Sequence, residues 1–478
     1  MRGGTRLMGA VRAAPLPAAL ALALLVPALG RAGYTAGGRA VFVALAGAAL
    51  MVAVATDDRG VRASLRSGPV LALAVLACLS VLSASWTVIR PMDSLLWGLV
   101  IAGYCALTVS AAAFARGRGV VALAVMIVVV AMAEAALGVG AAALREFPYA
   151  DRMRHTWRAG GTFEYSSALA LLEVAALAPL LSAMARARTA VAGAAAAAAV
   201  LGGGAILLAR SRAELGLAIL IAGIAVVWPR VSLGTTRGAA AAAIGLVAAG
   251  AVAIWKIVGG YVHSHGFAHR HDIHTGTTRV LWLLAVVAAA AFCWPVVRSY
   301  ARRLHLPQTR SVRVTLASAA VALALAGFFV VAAPHHGRDV ASGGGFTHGR
   351  RAQWNAAWSS FLDRPTVGAG ADAFLTASAA HQERTPVRYA HDLPLEAGAE
   401  LGTAGLLAVI TLYVAVGVAL WRSLREPSAW LVVPGVAAFL LANLVDWEWH
   451  IPLSGAVWAL GLGGVVALGS DARKPVPD

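Results

Sequence analysis

Lysine is almost missing from this chain: Lys256 and Lys474 are the only two, although lysine and arginine together number 39 in 478 residues. The positive charge is therefore nearly all arginine, which is permanently charged and grips phosphate or carboxylate with a planar fork. Acidic residues are also few, 22 in all, and the formal net charge is +17. Such an excess invites a nucleic-acid reading. The arginines, however, stand in short clusters between apolar runs rather than on one domain or face, so no nucleic-acid partner is expected. Cysteine is scarce too. Cys78, Cys105 and Cys293 fall inside apolar runs without CxxC spacing or a histidine at ligand spacing, so neither a metal centre nor a redox compartment can be read from them. There is no P-loop to indicate an ATP-driven step. No soluble domain with an Asp-Xaa-Asp metal motif appears, which argues against chemistry on a cytoplasmic nucleotide sugar.

What the chain has in abundance is apolar surface. Hydrophobic residues make up 60% and charged ones 13%, with a mean hydropathy of +0.76, more than a water-facing globule can hide. Lipid must be the solvent for most of it. Stretches of about twenty apolar residues, long enough to cross roughly 30 Å of hydrocarbon as a helix, recur along the chain. A helix closes its own backbone hydrogen bonds, so an all-α polytopic transmembrane bundle is expected, with about fourteen spans. They centre on residues 14–29, 40–55, 70–85, 95–114, 120–144, 167–184 and 190–208, then on 214–228, 239–258, 280–297, 314–333, 395–420, 429–444 and 453–468. Arg2, Arg6 and Arg12 before the first run imitate a signal peptide, but further spans follow at once, and an uncleaved first helix is expected.

Arginine placement orients the bundle, because short cytoplasmic loops retain positive charge. In one parity the loops bearing Arg59, Arg62 and Arg66, Arg116 and Arg118, Arg186 and Arg188, Arg230 and Arg237, Arg298 to Arg313, and Arg422 and Arg425 share a side. Both termini join them, which makes the termini cytoplasmic in a multi-pass plasma (inner) membrane protein. Three longer loops, 145–166, 259–278 and 334–394, fall outside and hold most of the polar chemistry.

The organisation expected is one integrated membrane domain: an N-terminal bundle over 1–333, a large extracytoplasmic loop with short helices over 334–394, and C-terminal helices over 395–478. Within the loop, Arg350, Trp354, Trp358 and Phe361 recur at helical spacing before Asp363 and Pro365, which predicts a short interfacial helix. Pro365, Gly368 and Gly370 force a tight turn. Asp392 is placed to N-cap the next helix, with Pro394 in its first turn, so His391 stands at the mouth of a span.

These residues carry a resemblance. The run from Arg350 reads RxxxW, then FLDRPTVGAGADAF, then HDLPLEAGAELGTAGLL, which is similar to the signature of the O-antigen ligase and polymerase superfamily. Upstream, RAGGTFEYSSALA from Arg158, LLARSRAELGLAIL with Ser211 and Arg212, and LSASWTVIRPMD resemble further motifs of that family, in its order. The ligase-like region spans about 158–420. The family usually has asparagine after the histidine, where this chain has Asp392, and relatives often have about twelve spans.

The resemblance implies a GT-C-like glycosyltransferase that moves or polymerises a glycan from an undecaprenyl-pyrophosphate carrier onto an acceptor hydroxyl. The acceptor would be a glycan, lipid or protein at the outer face among membrane lipids, and no cofactor or metal is implied. Arg212 and Arg350 would stabilise the charge growing on the pyrophosphate, with Arg158 as a weaker partner. His391 would take the acceptor proton. Trp354, Glu396 and Glu400 complete the expected binding set, the two glutamates lying one helical turn apart.

Each residue also has a plainer reading. Arg212 alone is a snorkelling anchor, Trp354 and Trp358 are interfacial belt residues, and His391 is an ordinary loop histidine. Glu396 and Glu400 either orient His391 or an arginine, or face a wet cavity. Glu134 and Glu173 are polar outliers within spans. The histidine-rich loop with His263, His265, His269, His271 and His274 has a metal-like composition but no fixed spacing, and a solvated loop is its default. A transporter or flippase of an anionic or lipid-linked solute is the competing class. It would show related halves and helices broken near the midplane, whereas here the polar residues gather in the outer loops.

Overall fold

In the computed structural model the residues described are 15–116, 119–153, 156–228, 233–258, 270–303, 350–382 and 386–471. The chain opens with α1 (Pro15–Leu29), α2 (Ala36–Leu65), α3 (Gly68–Leu82), α4 (Pro91–Ala115) and α5 (Gly119–Leu144). A small antiparallel hairpin follows, β1 (Ala150–Met153) and β2 (Thr156–Ala159), with Asp151 opposite Arg158. Next come α6 (Ser166–Arg186), α7 (Thr189–Ala209), α8 (Arg212–Val227), α9 (Arg237–Val258) and α10 (Arg270–Ala301). The last group is α11 (Arg350–Asp363), α12 (Phe374–Ala377), α13 (Leu393–Ser423), α14 (Val433–Ala442) and α15 (Pro452–Asp471).

This is an all-α polytopic membrane protein. Among the described residues ten helices are long and apolar enough to cross a membrane. Of the remaining expected spans, α1 and α14 are apolar but shorter, α8 has 16 residues, and the segment 314–333 lies outside the described residues. At 1.5 Å per residue the 10-residue α14 covers only about 15 Å, half of a hydrocarbon core. The histidine-rich stretch 259–269 is also outside the described residues.

The chain forms two compact units, one of Met1–Leu123, Pro334–Ala429 and Phe439–Asp478, the other of Ala124–Ala333 and Trp430–Ala438. In the first unit α15 is the enclosed helix, 89% buried over its apolar window. Its glycines let it lie directly on α4. Gly463 faces Ala111 and Thr108, Gly455 faces the Tyr104 ring, and the Tyr104 hydroxyl donates to the Trp449 carbonyl at 3.0 Å. Lipid gives helices no hydrophobic reason to associate, so such close backbone packing has to hold them.

The second unit is built the same way around α6, also 89% buried. On α7, Gly193 meets the Ala291 carbonyl of α10, while Gly203 and Gly204 meet Ala251 and Ile254 of α9. The outer face of α10 carries Leu281, Trp282, Leu284, Phe292 and Val296, all exposed, as a surface meeting lipid must be.

Candidate functional site

In the first unit the loop that precedes α13 gathers several of the expected polar residues. Asp392 is the N-cap as expected, its carboxylate accepting from the Leu395 amide at 2.9 Å, with Pro394 in the first turn. Burial pushes that carboxyl up to about 6. His391, one residue earlier, has φ 57°, a left-handed conformation that a side chain rarely takes. Two contacts hold it there. Its carbonyl accepts from the Trp354 indole N–H at 3.3 Å, and its Nδ1 lies 3.1 Å from the Tyr389 carbonyl. A carbonyl can only accept, so Nδ1 carries the proton and Nε2 keeps the lone pair. Burial holds the imidazole below the usual histidine range despite the nearby Asp446 carboxylate, so it is neutral near pH 7.

Nε2 looks onto Asp446. One carboxylate oxygen, Oδ1, is 3.9 Å from Nε2, while Oδ2 accepts from the Arg350 guanidinium at 2.8 Å. Asp446 is almost fully buried and Arg350 is a quarter exposed. The site thus places a neutral base, a carboxylate and a partly open guanidinium side by side, with Trp354 of α11 bracing the base.

The expected glutamates do not touch His391; they tie the loops to α13. Glu396 accepts from the Ala390 amide at 2.6 Å and pairs with His450. Glu400 accepts from the amides of Asp372 and Phe374, each at 3.0 Å. The PTVGAG turn is laced to the same helix: the amides of Ala369 and Gly370 donate to the carbonyls of Ala399 and Glu400 at 3.1 and 2.7 Å. That lacing needs α13 to open. At Gly402, φ 65° and ψ −157° interrupt the helix, and the Thr403 amide donates instead to the Pro365 carbonyl at 2.7 Å. The early LSASWTVIRPMD motif docks on the other side of the turn. Val88 donates to the Ala369 carbonyl at 2.9 Å, the Trp86 indole to Val367 at 2.9 Å, and the Ser94 hydroxyl to Ala371 at 2.7 Å. Three distant motifs therefore make one structure.

Beneath the loop lies a polar and aromatic layer. The Asp372 Oδ2 atom accepts from Arg39 at 2.9 Å and Arg388 at 3.2 Å. Tyr389 stacks on His450 at 4.0 Å and on Trp447 at 4.9 Å between ring centroids, and Trp97 covers His450 at 4.4 Å. Enclosed this way, His450 is pushed down to about 3 by burial. Burial also raises Tyr389 well above the usual phenol range.

The second unit holds the other expected residues. Arg158, in β2, is ion-paired with Asp151 across the hairpin. Arg212 opens α8 just after its N-cap Ser211, whose hydroxyl donates to Glu214. The Gly-Thr-Phe segment is a short 3-10 turn anchored by Glu134, which accepts from the Thr162 amide at 2.8 Å and hydroxyl at 2.7 Å. Glu173 is buried in α6, with neither carboxylate oxygen hydrogen-bonded.

Of the expected residues, then, the first unit brings together His391, Arg350 and Trp354, with Glu396 and Glu400 behind them; Arg158 and Arg212 belong to the other unit. The sequence reading missed Asp446, Asp372, Arg39, Arg388, Tyr389 and His450. A signal existed for two of them. The run NLVDWEWH sets Asp446 and His450 between two apolar segments, where ionisable side chains are costly and so informative.

No curated protein matches the chain. Residues 272–410 match the family model described as O-antigen ligase. That segment, less than a third of the chain, holds α11, the PTVGAG turn, His391 and the first part of α13 with its break at Gly402, and it is what the chain shares with the O-antigen ligase family.

Proposed function

We propose that the protein is a ligase- or polymerase-type membrane glycosyltransferase that takes a glycan from an undecaprenyl-pyrophosphate carrier to an acceptor hydroxyl at the outer membrane face. The observation that carries this reading is the Arg350, Asp446 and His391 arrangement, with a neutral imidazole whose Nε2 keeps its lone pair and faces the Asp446 carboxylate that holds the guanidinium. His391 Nε2 takes the proton as the acceptor oxygen bonds to the anomeric carbon. The bond from that carbon to the pyrophosphate oxygen breaks, and its electron pair leaves as phosphate charge. Arginine stabilises that charge without any proton transfer, with Arg350 in that role. Attack opposite the leaving group inverts the anomeric carbon, and no metal is needed. Trp354 acts through its hydrogen bond to the His391 carbonyl, and Glu396 and Glu400 act by fixing the loops around it. The loop 334–394 is then extracytoplasmic and both termini cytoplasmic.

The test uses the full chain reconstituted with a lipid-linked glycan and an acceptor. Wild type should consume the donor and form conjugate or polymer. His391→Ala, shown to be folded by its unfolding midpoint, should form none. Undiminished product from that variant would remove His391 from the chemistry, and donor moved across the bilayer but not consumed would make the protein a transporter.

A further inference from the structure

One end of the second unit is crowded with arginine. There α6 ends at Arg186, α9 begins at Arg237, and α10 carries Arg298 in its last turn, with Arg302 and Arg303 just after it. The sequence has no Asp or Glu at 174–213, 215–271 or 273–338. Glu214 is in the first turn of α8, and Glu173 is about 20 Å along α6 from Arg186.

Arg298 and Arg302 are one helical turn apart, a repulsive arrangement for like charges. Part of that repulsion is met by the end of α6. Arg298 donates to the carbonyls of Met184 at 3.1 Å and Ala187 at 2.9 Å, and Arg302 to Ala185 at 2.7 Å. Each guanidinium has five N–H groups, and these bonds engage only one nitrogen of each. Beside Arg302 opens a cavity of about 540 Å³, lined also by Gly234, Thr235 and Thr236. The Arg186 side chain packs on Gly234, its Nε donating to the Leu233 carbonyl at 2.8 Å. Thr236 caps α9, accepting from the Ala239 amide, so the positive end of that helix also points here. The space is an open depression with room for more than a single ion.

We propose that this cavity binds the phosphate of an anionic membrane lipid, with Arg302 as the principal charge and the Thr235 hydroxyl as a further donor. Three helix ends meet there, and on the expected topology they face the leaflet that carries anionic lipid. A guanidinium and a hydroxyl match the oxygens of a phosphodiester. The site is separate from the one around His391 and does not depend on the reaction proposed above.

Thermal unfolding of the purified full chain in neutral detergent tests it, titrated with phosphatidylglycerol, phosphatidylcholine or inorganic phosphate. A ligand that binds only the folded state raises the midpoint. Phosphatidylglycerol should raise it in wild type and in Arg302→Lys. Arg302→Gln should bind about fivefold more weakly, the contribution of one basic residue near a lipid surface. Thr235→Asp, a substitution in the loop that leaves the helices untouched, should abolish the response even if Arg302→Gln folds poorly. An equal rise with phosphatidylcholine, or an undiminished rise in both Arg302→Gln and Thr235→Asp, would overturn the proposal. So would the same response to inorganic phosphate alone, which would make this a site for a soluble anion.

Discussion

The Asp446 carboxylate is shared between two residues that sequence reading had linked only through the reaction: it accepts from Arg350 at 2.8 Å and faces His391 Nε2 at 3.9 Å. Its two oxygens do different work. One fixes the guanidinium, while the other raises the proton affinity of an imidazole that burial lowers. Burial is the larger effect, and His391 stays below its ordinary value near 6.5.

A pH profile separates these effects. If His391 is the base, kcat/KM rises as the imidazole loses its proton, with a midpoint below about 6.5 in wild type. Asp446→Asn keeps the shape but removes the charge that holds the proton. The acid limb should therefore move to still lower pH, while Arg350, left with a weaker partner, should lower the rate on the plateau. A limb that shifted upward, or stayed in place, would show that Asp446 does not act through His391.

The PTVGAG turn gives a test of the fold around the site. Gly370 has φ +100°, and a Cβ built there would lie 2.1 Å from the Thr87 hydroxyl oxygen. Gly370→Ala combines strain with collision and should leave little folded protein in detergent extracts. Gly417, which by contrast is helical and in α13, has nothing within 4 Å of a built Cβ. Gly417→Ala should be neutral or gain up to about 1 kcal/mol. Equal yields of the two variants, read by size-exclusion chromatography, would contradict the docking of the turn on Thr87.

Much of this is legible in the sequence, for a physical reason. Apolar length reports directly on lipid solvation, so the helices could be read from composition, and α11 and the Asp392 cap followed from local spacing. Glu396 and Glu400 were read as residues of the site, but their spacing could not say that they hold loop amides instead of touching His391. That depends on the break at Gly402, which frees the carbonyls of 399 and 400 for the turn. Asp446 was not found because it meets Arg350 from 96 residues away, and no periodicity spans that separation.

Glu400 tests the loop anchoring. Each of its oxygens takes one backbone amide, from Asp372 and Phe374. Glu400→Gln keeps the shape but offers one acceptor, setting an amide nitrogen against the other N–H. A buried donor left without a partner costs about 1–3 kcal/mol. The unfolding midpoint should fall accordingly, and an unchanged midpoint would mean that these bonds do not hold the loop.

His450 sets the last expectation, on acid stability. Its ring lies between Tyr389 at 4.0 Å and Trp97 at 4.4 Å, and burial pushes it down to about 3. In the unfolded chain the same imidazole takes a proton near pH 6.5. The folded state therefore binds fewer protons between those limits, and stability falls as pH drops from about 6.5 towards 3, by about 1.4 kcal/mol per unit from this group alone. Carboxylates add their own acid losses, so the comparison has to be made against His450→Phe, which keeps an aromatic ring between Tyr389 and Trp97 but cannot take a proton. That variant should start less stable, because Glu396 loses its partner, and its unfolding midpoint should decline less steeply below pH 6.5 than wild type. Parallel slopes for the two proteins would mean that His450 is already protonated in the fold, as the second member of a charged pair with Glu396.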